Sequence, residues 1–216
     1  MKKPLIILTG PTAVGKTSLS IALAKAVNGE IISADSMQVY RHMDIGSAKI
    51  RPEEMQGVPH HLVDCLEPDE EFNVVRFQQM AKEAMKGIYD RGRIPVLVGG
   101  TGFYIQAVTG DIDFTVHGED TTYRQMLEEK AKTEGAQVLH EMLAAVDPAS
   151  AAAIHANNVK RVIRALEYYR QTGKPISQHN EEQRQKESPY NLAYFVLNDE
   201  RTRLYERIDA RIDQML

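Results

Sequence analysis

Short apolar runs rich in β-branched residues recur along the chain, and most of them end at glycine or polar residues. Such runs are typical of strands in a parallel sheet. They predict strands over residues 5–9, 30–34, 61–64, 94–98 and 192–197. Apolar residues at helical spacing predict helices over residues 16–27 and 73–89, and from residue 200 onward. Strands that alternate with helices predict an α/β fold with a parallel sheet.

Residues 120–188 follow a different pattern. They contain no β-branched run, and alanine, glutamate, leucine and arginine recur there at helical spacing, with breaks at Gly135, Asp147-Pro148 and Gly173. This pattern predicts a helical insert that interrupts the sheet domain. The predicted organisation is an α/β core over residues 1–118, a helical insert over 119–188, and a return to the core over 189–216.

Composition limits the class of protein. Of the 216 residues, 43% are hydrophobic, which is enough for a sizeable core, and the net charge of −4 gives no overall attraction to nucleic acid. Any basic surface must therefore be local. The one cysteine, Cys65, excludes an internal disulfide, and the apolar run after Pro4 is too short for an export signal or a membrane span. We expect a cytoplasmic protein with no membrane partner.

Residues 10–17 (GPTAVGKT) match the pattern G-x-x-x-x-G-K-[ST], between a predicted strand and a predicted helix. In this setting the loop amides and the helix dipole bind an anion, and Lys16 places a cation against the outer phosphate. Thr17 can ligate a magnesium ion held by the phosphates. With the parallel sheet, the loop predicts a P-loop NTPase-like core flanked by helices. The predicted phosphate-binding residues are Gly10, Thr12, Ala13, Val14, Gly15, Lys16 and Thr17.

The loop identifies a diphosphate or triphosphate and not a reaction, since a kinase and a transferase that releases pyrophosphate both need one. Asp35 follows the second predicted strand and should lie at the same edge of the sheet as the loop. It is a candidate general base, and an ordinary loop or helix-capping aspartate is an equal alternative.

The strand over residues 94–98 is followed by glycine and Thr101, and not by the acidic residue that many magnesium-dependent ATPases place there. This argues against a motor ATPase. Thr101 could cap the next helix, which is the commoner role, or offer its hydroxyl to a substrate. Asp64, which ends another predicted strand, could still serve the metal through water.

A local basic surface is predicted on a helix over residues 157–171. Its apolar residues recur at helical spacing, and Lys160, Arg161 and Arg164 lie on the opposite face. We call these three residues the basic stripe. The stripe could bind nucleic acid, although the pattern alone favours an ordinary solvated face.

Four segments carry a resemblance to a known family. They are residues 10–17 (GPTAVGKT), 35–41 (DSMQVYR) continuing into 43–46 (MDIG), 99–104 (GGTGFY) and 160–167 (KRVIRALE). Together they closely resemble the bacterial tRNA dimethylallyltransferases, also called tRNA isopentenyltransferases. These enzymes transfer a dimethylallyl group from its diphosphate to N6 of adenine 37, beside the anticodon, and release pyrophosphate.

The resemblance implies roles for particular residues. Residues 12–17 would hold the dimethylallyl diphosphate with Mg²⁺ at Thr17, Asp35 would be the general base, and Thr101 would contact the target nucleotide. Arg201 and Arg207 match arginines implicated in turnover, although both also suit a solvated helix face. The positions that match tRNA contacts are Asp35, Ser36, Met37, Gln38, Thr101, Arg124, Lys160, Arg161 and Arg164.

The resemblance also bears on partners and extent. The expected partners are the anticodon loop of tRNA and dimethylallyl diphosphate, and we expect a monomer. Members of the family usually continue past the point where this sequence ends, so we expect part of the tRNA-binding surface to lie beyond it.

Three other functions remain open from the residues alone. The first is a small-molecule kinase that uses ATP on the same loop, with Asp35 activating a hydroxyl group. The second is a protein that only binds RNA. The third is prenyl transfer to free AMP, which the size of the helical insert disfavours.

Overall fold

The computed structural model describes residues 2–114 and 121–215. Five strands form one sheet in which all neighbours are parallel, in the order β3-β2-β4-β1-β5. The strands are β1 (Lys3–Thr9), β2 (Gly29–Ser33), β3 (His60–His61), β4 (Ile94–Gly99) and β5 (Tyr190–Val196). The helices are α1 (Lys16–Ala26), α2 (Val74–Asp90), α3 (Gly102–Thr109), α4 (Thr121–Glu134), α5 (Ala136–Val146), α6 (Pro148–Ala153), α7 (Val159–Thr172), α8 (Ile176–Gln185) and α9 (Arg201–Met215).

The chain divides into two compact units. The first, the sheet unit, comprises Met1–Ile112 and Glu187–Leu216, and the second, the helical unit, comprises Asp113–Lys186. The predicted parallel α/β sheet flanked by helices is confirmed. The boundaries predicted after residues 118 and 188 remain predictions, and the first of them lies outside the described residues.

The sheet unit is built on its central strands. Leu8 of β1 pairs with Val98 of β4 on one side and with Phe195 of β5 on the other. The inner strands carry apolar side chains that are almost wholly buried, such as Ile32 and Leu97. β5 lies at the edge of the sheet, and most of its side chains are exposed.

One predicted strand is largely wrong. Only His60 and His61 are in strand conformation, whereas residues 61–64 were expected to form a full strand. Leu62 and Asp64 have φ angles of 62° and 52°, which lie in the left-handed region and cannot continue a strand. Asp64 therefore lies in a loop.

A buried carboxylate joins three elements near the amino ends of the strands. The side chain of Glu30, on β2, is only 2% exposed. Its two oxygens accept hydrogen bonds from Arg91 at 3.0 and 2.7 Å, from Arg93 at 3.1 Å, and contact His61 Nε2 at 2.6 Å. The hydrogen bonds and charges of Arg91 and His61, led by the hydrogen bond of Arg91 and opposed by burial, lower the pKa of Glu30 to about 2.

The helical unit has its own core. It is formed by the inner faces of α4, α5 and α7, and its buried residues include Leu127, Leu139, Leu143, Val162, Ile163 and Leu166. Val162, Ile163 and Leu166 belong to the apolar face that the sequence predicts for α7. None of the helices in the described residues is both long enough and apolar enough to cross a membrane.

Candidate functional site

Three loops of the sheet unit meet at one edge of the sheet. The phosphate-binding loop follows β1, Asp35 follows β2, and Gly99 and Thr101 lie at the end of β4. Because β2, β4 and β1 are parallel neighbours in the sheet, their carboxyl ends lie side by side. This edge is the usual position for ligands in parallel α/β sheets.

The phosphate-binding loop needs its glycines. Gly10 has a φ of +151°, and a Cβ atom there would lie 2.5 Å from the carbonyl oxygen of Leu197. Gly15 has a φ of +96° and is the N-cap of α1, and Ala13 is also left-handed, with a φ of 62°. This backbone brings the loop around the N-terminus of α1, where amide groups and the helix dipole favour anions.

Lys16 begins α1 and bends back over the loop. Its Nζ donates hydrogen bonds to the carbonyl oxygens of Gly10 at 2.9 Å and Pro11 at 2.7 Å. Burial lowers the pKa of Lys16, the charge of Arg211 lowers it further, and the Asp35 carboxylate opposes both effects. The charges of Arg211 and Asp35 thus act on the phosphate-binding loop in opposite directions.

Asp35 is half-buried, and its two oxygens have different surroundings. Oδ1 accepts hydrogen bonds from the backbone amides of Met37 at 2.8 Å and Gln38 at 3.3 Å. This is the local turn expected of an ordinary loop aspartate. No residue in the described ranges hydrogen-bonds to Oδ2, so the carboxylate can both hold the turn and accept a proton. Of the residues predicted to contact tRNA in this loop, Ser36 and Met37 are exposed and Gln38 is half-buried.

The end of β4 comes close to the end of β2. A Cβ atom at Gly99 would overlap the carbonyl group of Ala34, so only glycine fits there. Thr101 is the N-cap of α3, but its side chain makes no capping hydrogen bond. The Thr101 side chain therefore does not cap the helix, and its hydroxyl has no hydrogen-bond partner among the described residues. Burial raises the pKa of Tyr104, and the charges of Tyr40 and Asp35 raise it further.

The residues at the loop can hold a metal only together with a bound phosphate. Across residues 2–114 and 121–215, no group of three or more His, Cys, Asp or Glu side chains could hold a metal ion by itself. Thr17 is exposed, and its hydroxyl has no partner in that part of the chain. The Asp64 carboxylate is bound by Lys49 at 2.5 Å. One free hydroxyl beside an anion cradle fits a magnesium ion that takes its other ligands from phosphate and water.

The basic stripe is exposed on α7 of the helical unit. Lys160, Arg161 and Arg164 all point away from the buried face of the helix. Within the described ranges none of the three makes an ion pair. Their positive charges are therefore not neutralised by neighbouring carboxylates.

Arg124 differs from the basic stripe, because a carboxylate of the same unit holds it. Its Nε and Nη2 donate to the two carboxylate oxygens of Glu167 at 2.9 and 3.1 Å. The side chain of Glu167 is 11% exposed, while that of Arg124 is 51% exposed. This geometry is bidentate, so the guanidinium is held in a defined orientation.

The two α9 arginines singled out from the sequence, Arg201 and Arg207, are both exposed. Arg201 donates to the hydroxyl of Tyr205 at 2.9 Å, and Arg207 pairs with Asp199 at 3.0 Å. Neither interacts with the phosphate-binding loop in the part of the chain that the structure describes. The positive charge of Arg211, by contrast, lowers the pKa of Lys16 in that loop, and sequence reasoning missed this arginine.

A signal for Arg211 was present in the sequence. Leu204, Ile208 and Arg211 follow one another at helical spacing, and all three are half-buried, whereas Arg201 and Arg207 are exposed. An arginine on the inner face of a helix, in line with apolar residues, indicates a specific partner.

Two family patterns match the chain. The pattern described as IPP transferase matches residues 38–216, and the one described as isopentenyl transferase matches residues 3–65. The tRNA dimethylallyltransferase of Lachnoclostridium phytofermentans is 68% identical over 214 residues, which are 99% of this chain and 68% of that protein. That of Bacillus subtilis is 52% identical over 215 residues, which are 100% of this chain and 68% of that protein.

Solved structures agree with these relatives. The tRNA isopentenylpyrophosphate transferase of Bacillus halodurans is 50% identical, with a TM-score of 0.67, and the match covers 99% of this chain and 66% of that one. A eukaryotic dimethylallyltransferase acting on tRNA is 34% identical, with a TM-score of 0.84, over 99% of this chain and 52% of that one. The chain thus spans about two thirds of the length of the bacterial relatives. Because one family pattern covers residues 38–216 and these bacterial relatives are at least half identical, the chain belongs to the IPP transferase family, as its resemblance to the bacterial tRNA dimethylallyltransferases predicted.

Proposed function

We propose that the protein transfers the dimethylallyl group of dimethylallyl diphosphate to N6 of adenine 37 in tRNA and releases pyrophosphate. The observation that carries this proposal is that an anion-binding loop follows β1 and a carboxylate follows β2, at the same edge of one parallel sheet. The charge of that carboxylate, Asp35, also raises the pKa of Lys16 in the loop. The cradle suits the leaving diphosphate, and the carboxylate suits the proton that the amine must lose. Two relatives that are 68% and 52% identical to the chain are named tRNA dimethylallyltransferases.

The bond from the allylic carbon to the diphosphate oxygen breaks as the bond from that carbon to N6 forms. Negative charge grows on the diphosphate, and positive charge spreads over the allyl group. Lys16, the loop amides and the N-terminus of α1 stabilise the leaving group. Arg211 adds a second cation, because its charge already acts on Lys16. The predicted contributions of Arg201 and Arg207 stay predictions.

Asp35 takes up the proton. The lone pair of N6 is delocalised into the adenine ring, so attack on carbon must be accompanied by loss of an N6 proton. The amides of Met37 and Gln38 hold Oδ1 in place, which directs Oδ2 toward the reacting amine. The hydroxyl of Thr101, which does not cap its helix, hydrogen-bonds to the target nucleotide.

We propose Mg²⁺ as the metal, with the hydroxyl of Thr17 as its protein ligand. When bound, the ion neutralises part of the charge of the diphosphate. Thr12, Ala13, Val14 and the rest of the phosphate-binding loop contact the diphosphate through their backbone amides.

The basic stripe supplies the attraction to tRNA that the net charge does not. Adenine 37 must leave the stack of its loop, at a cost of a few kcal/mol that contacts to the RNA backbone offset. Within the helical unit, Arg124, oriented by Glu167, also contacts the RNA. Within the sheet unit, Ser36 and Met37 contact it from the exposed loop after β2. We further propose that the protein acts as a monomer in the cytoplasm.

A kinase acting on small molecules is not favoured. The residues directly after β4, Gly100 and Thr101, are not acidic, and the relatives are named tRNA dimethylallyltransferases. Binding of RNA without catalysis does not account for a phosphate cradle next to a carboxylate. Prenyl transfer to free AMP leaves the basic stripe without a role.

The test is incubation of the purified protein with dimethylallyl diphosphate, Mg²⁺ and unmodified tRNA, followed by mass spectrometry of the tRNA nucleosides. We expect one adenosine per tRNA to gain a dimethylallyl group. Parallel reactions replace tRNA with AMP, or the prenyl donor with ATP. Transfer of phosphate from ATP, or no modified nucleoside with folded protein, would overturn the proposal.

A further inference from the structure

One backbone carbonyl accepts hydrogen bonds from two parts of the candidate site, the loop that carries Asp35 and helix α9. The carbonyl oxygen of Ala48 accepts a hydrogen bond from Gln38 Nε2 at 3.3 Å and another from Arg211 Nη2 at 3.3 Å. Gln38 lies in the loop that carries Asp35, whereas Arg211 lies on α9, and its positive charge lowers the pKa of Lys16 in the phosphate-binding loop. The position of the Ala48 carbonyl oxygen therefore affects the positions of both the Gln38 and the Arg211 side chains.

Lys49, the next residue, is held on all sides. Its side chain is 4% exposed, and its Nζ donates to the carbonyl oxygen of Tyr40 at 2.7 Å, to Asp44 at 2.7 Å and to Asp64 at 2.5 Å. An ammonium group has three protons, so these three acceptors satisfy it completely. Burial tends to lower the pKa of Lys49, but the hydrogen bonds and charges of Asp44 and Asp64 outweigh burial and raise it.

These contacts set the local backbone. Ala48 has a φ of +48°, in the left-handed region that alanine adopts only when its surroundings impose it. The anchored ammonium of Lys49 on one side and the two hydrogen bonds to the Ala48 carbonyl on the other supply that constraint. Both protein carboxylates bound to Lys49 belong to the sheet unit, so the arrangement is complete within it.

We propose that Lys49 is a positioning residue, which fixes the Ala48 carbonyl and thereby holds Arg211 at the phosphate-binding loop while it braces Gln38 beside Asp35. This inference rests on the proposed function, since Arg211 is taken to face the leaving diphosphate. Lys49 itself does not bind the diphosphate, because its three protons are already donated within the protein. It acts by pre-organising the guanidinium of Arg211, whose long side chain otherwise samples many rotamers.

A double-mutant cycle tests this role, with inorganic pyrophosphate and Mg²⁺ as the probe in titration calorimetry. Lys49→Met should weaken pyrophosphate binding about tenfold, the loss expected when one charge-assisted contact is no longer held in place. Arg211→Met should weaken it by at least as much. The double variant should bind no more weakly than Arg211→Met alone, because Lys49 affects pyrophosphate binding only through Arg211.

Two further variants keep the test sharp. Lys82→Met removes the lysine of another ion pair in the sheet unit, that with Asp111, and should leave pyrophosphate affinity unchanged. Asp44→Asn removes one of the two carboxylates that bind Lys49. The Asp44 side chain is 70% exposed, so this variant should fold even if Lys49→Met does not, and it should show part of the loss of pyrophosphate affinity expected for Lys49→Met.

The outcomes separate this inference from the proposed function. Additive losses in the double variant, or unchanged affinity in both Lys49→Met and Asp44→Asn, would overturn the positioning role. Coupled losses of pyrophosphate binding in a protein that transfers no prenyl group to tRNA would refute the proposed function and leave the positioning role intact.

Discussion

Replacement of Glu30 by glutamine should destabilise the sheet unit in a pH-dependent way. The carboxylate is 2% exposed and is held by Arg91, Arg93 and His61. Its pKa falls from an ordinary value of 4.5 to about 2. A shift of about 2.5 units corresponds to about 3 kcal/mol at 1.36 kcal/mol per unit. This is an upper value, because both arginine side chains are partly exposed.

The sign of the pH dependence follows from the lowered pKa. The folded protein binds the Glu30 proton less tightly than the unfolded chain, so the stabilisation is complete above pH 4.5 and disappears as the pH falls toward 2. We therefore expect Glu30→Gln to lower the free energy of unfolding by up to about 3 kcal/mol at pH 7. The difference between the variant and the parent should shrink steadily below pH 4.5. Urea unfolding followed by circular dichroism at several pH values measures it.

Glu134→Gln is the matched control. Glu134 pairs with Lys130 at 2.8 Å on an exposed face of α4, and its side chain is 51% exposed. Its replacement should cost no more than about 0.5 kcal/mol at any pH. If Glu30→Gln and Glu134→Gln have equally small effects, or if the Glu30→Gln difference stays constant down to pH 3, the reasoning from burial and pairing is wrong.

Three other perturbations test the site. Replacement of Lys160, Arg161 and Arg164 by alanine should reduce the slope of log affinity for tRNA against log salt concentration by about two to three. Fluorescence titrations at several salt concentrations measure this slope, and an unchanged slope means that the basic stripe does not contact phosphates. Lys16→Met should weaken pyrophosphate binding at least tenfold in titration calorimetry, since about 1.5–3 kcal/mol is typical of a charged hydrogen bond; full affinity would remove Lys16 from the cradle. Gly99→Ala should lower the unfolding free energy by about 2 kcal/mol, because its Cβ meets the backbone of Ala34; a denaturation midpoint equal to that of the parent would contradict the close approach.

Local patterns were sufficient to predict the centre of the fold. The strands β1, β2 and β4 each contain a short run of apolar residues, and the phosphate-binding loop combines a spacing of glycines with a lysine and a threonine. These features depend on neighbours in sequence, so they can be recognised without the structure. The apolar face of α7 and its opposite basic stripe were predictable for the same reason.

Long-range partners were not predictable from local patterns. Glu167, whose carboxylate pairs with Arg124, is 43 residues from it in sequence, and Ala48, whose carbonyl accepts a hydrogen bond from Arg211, is 163 residues from it. The prediction of a strand over residues 61–64 was wrong because Asp64 has a left-handed backbone conformation, in which its side chain accepts a hydrogen bond from Lys49. Thr101 stands at an N-cap position, but only the structure shows that its hydroxyl does not cap the helix.

In the proposed reaction, Asp35, which follows β2, takes the proton from the amine, and the phosphate-binding loop, which follows β1, holds the leaving diphosphate. The most direct test is the single-turnover rate of dimethylallyl transfer to tRNA by Asp35→Asn, measured beside its affinity for tRNA and for pyrophosphate. Loss of a general base should lower the rate by about 10²- to 10⁴-fold, while both affinities change little. An Asp35→Asn protein that transfers the prenyl group at the parent rate would contradict the account.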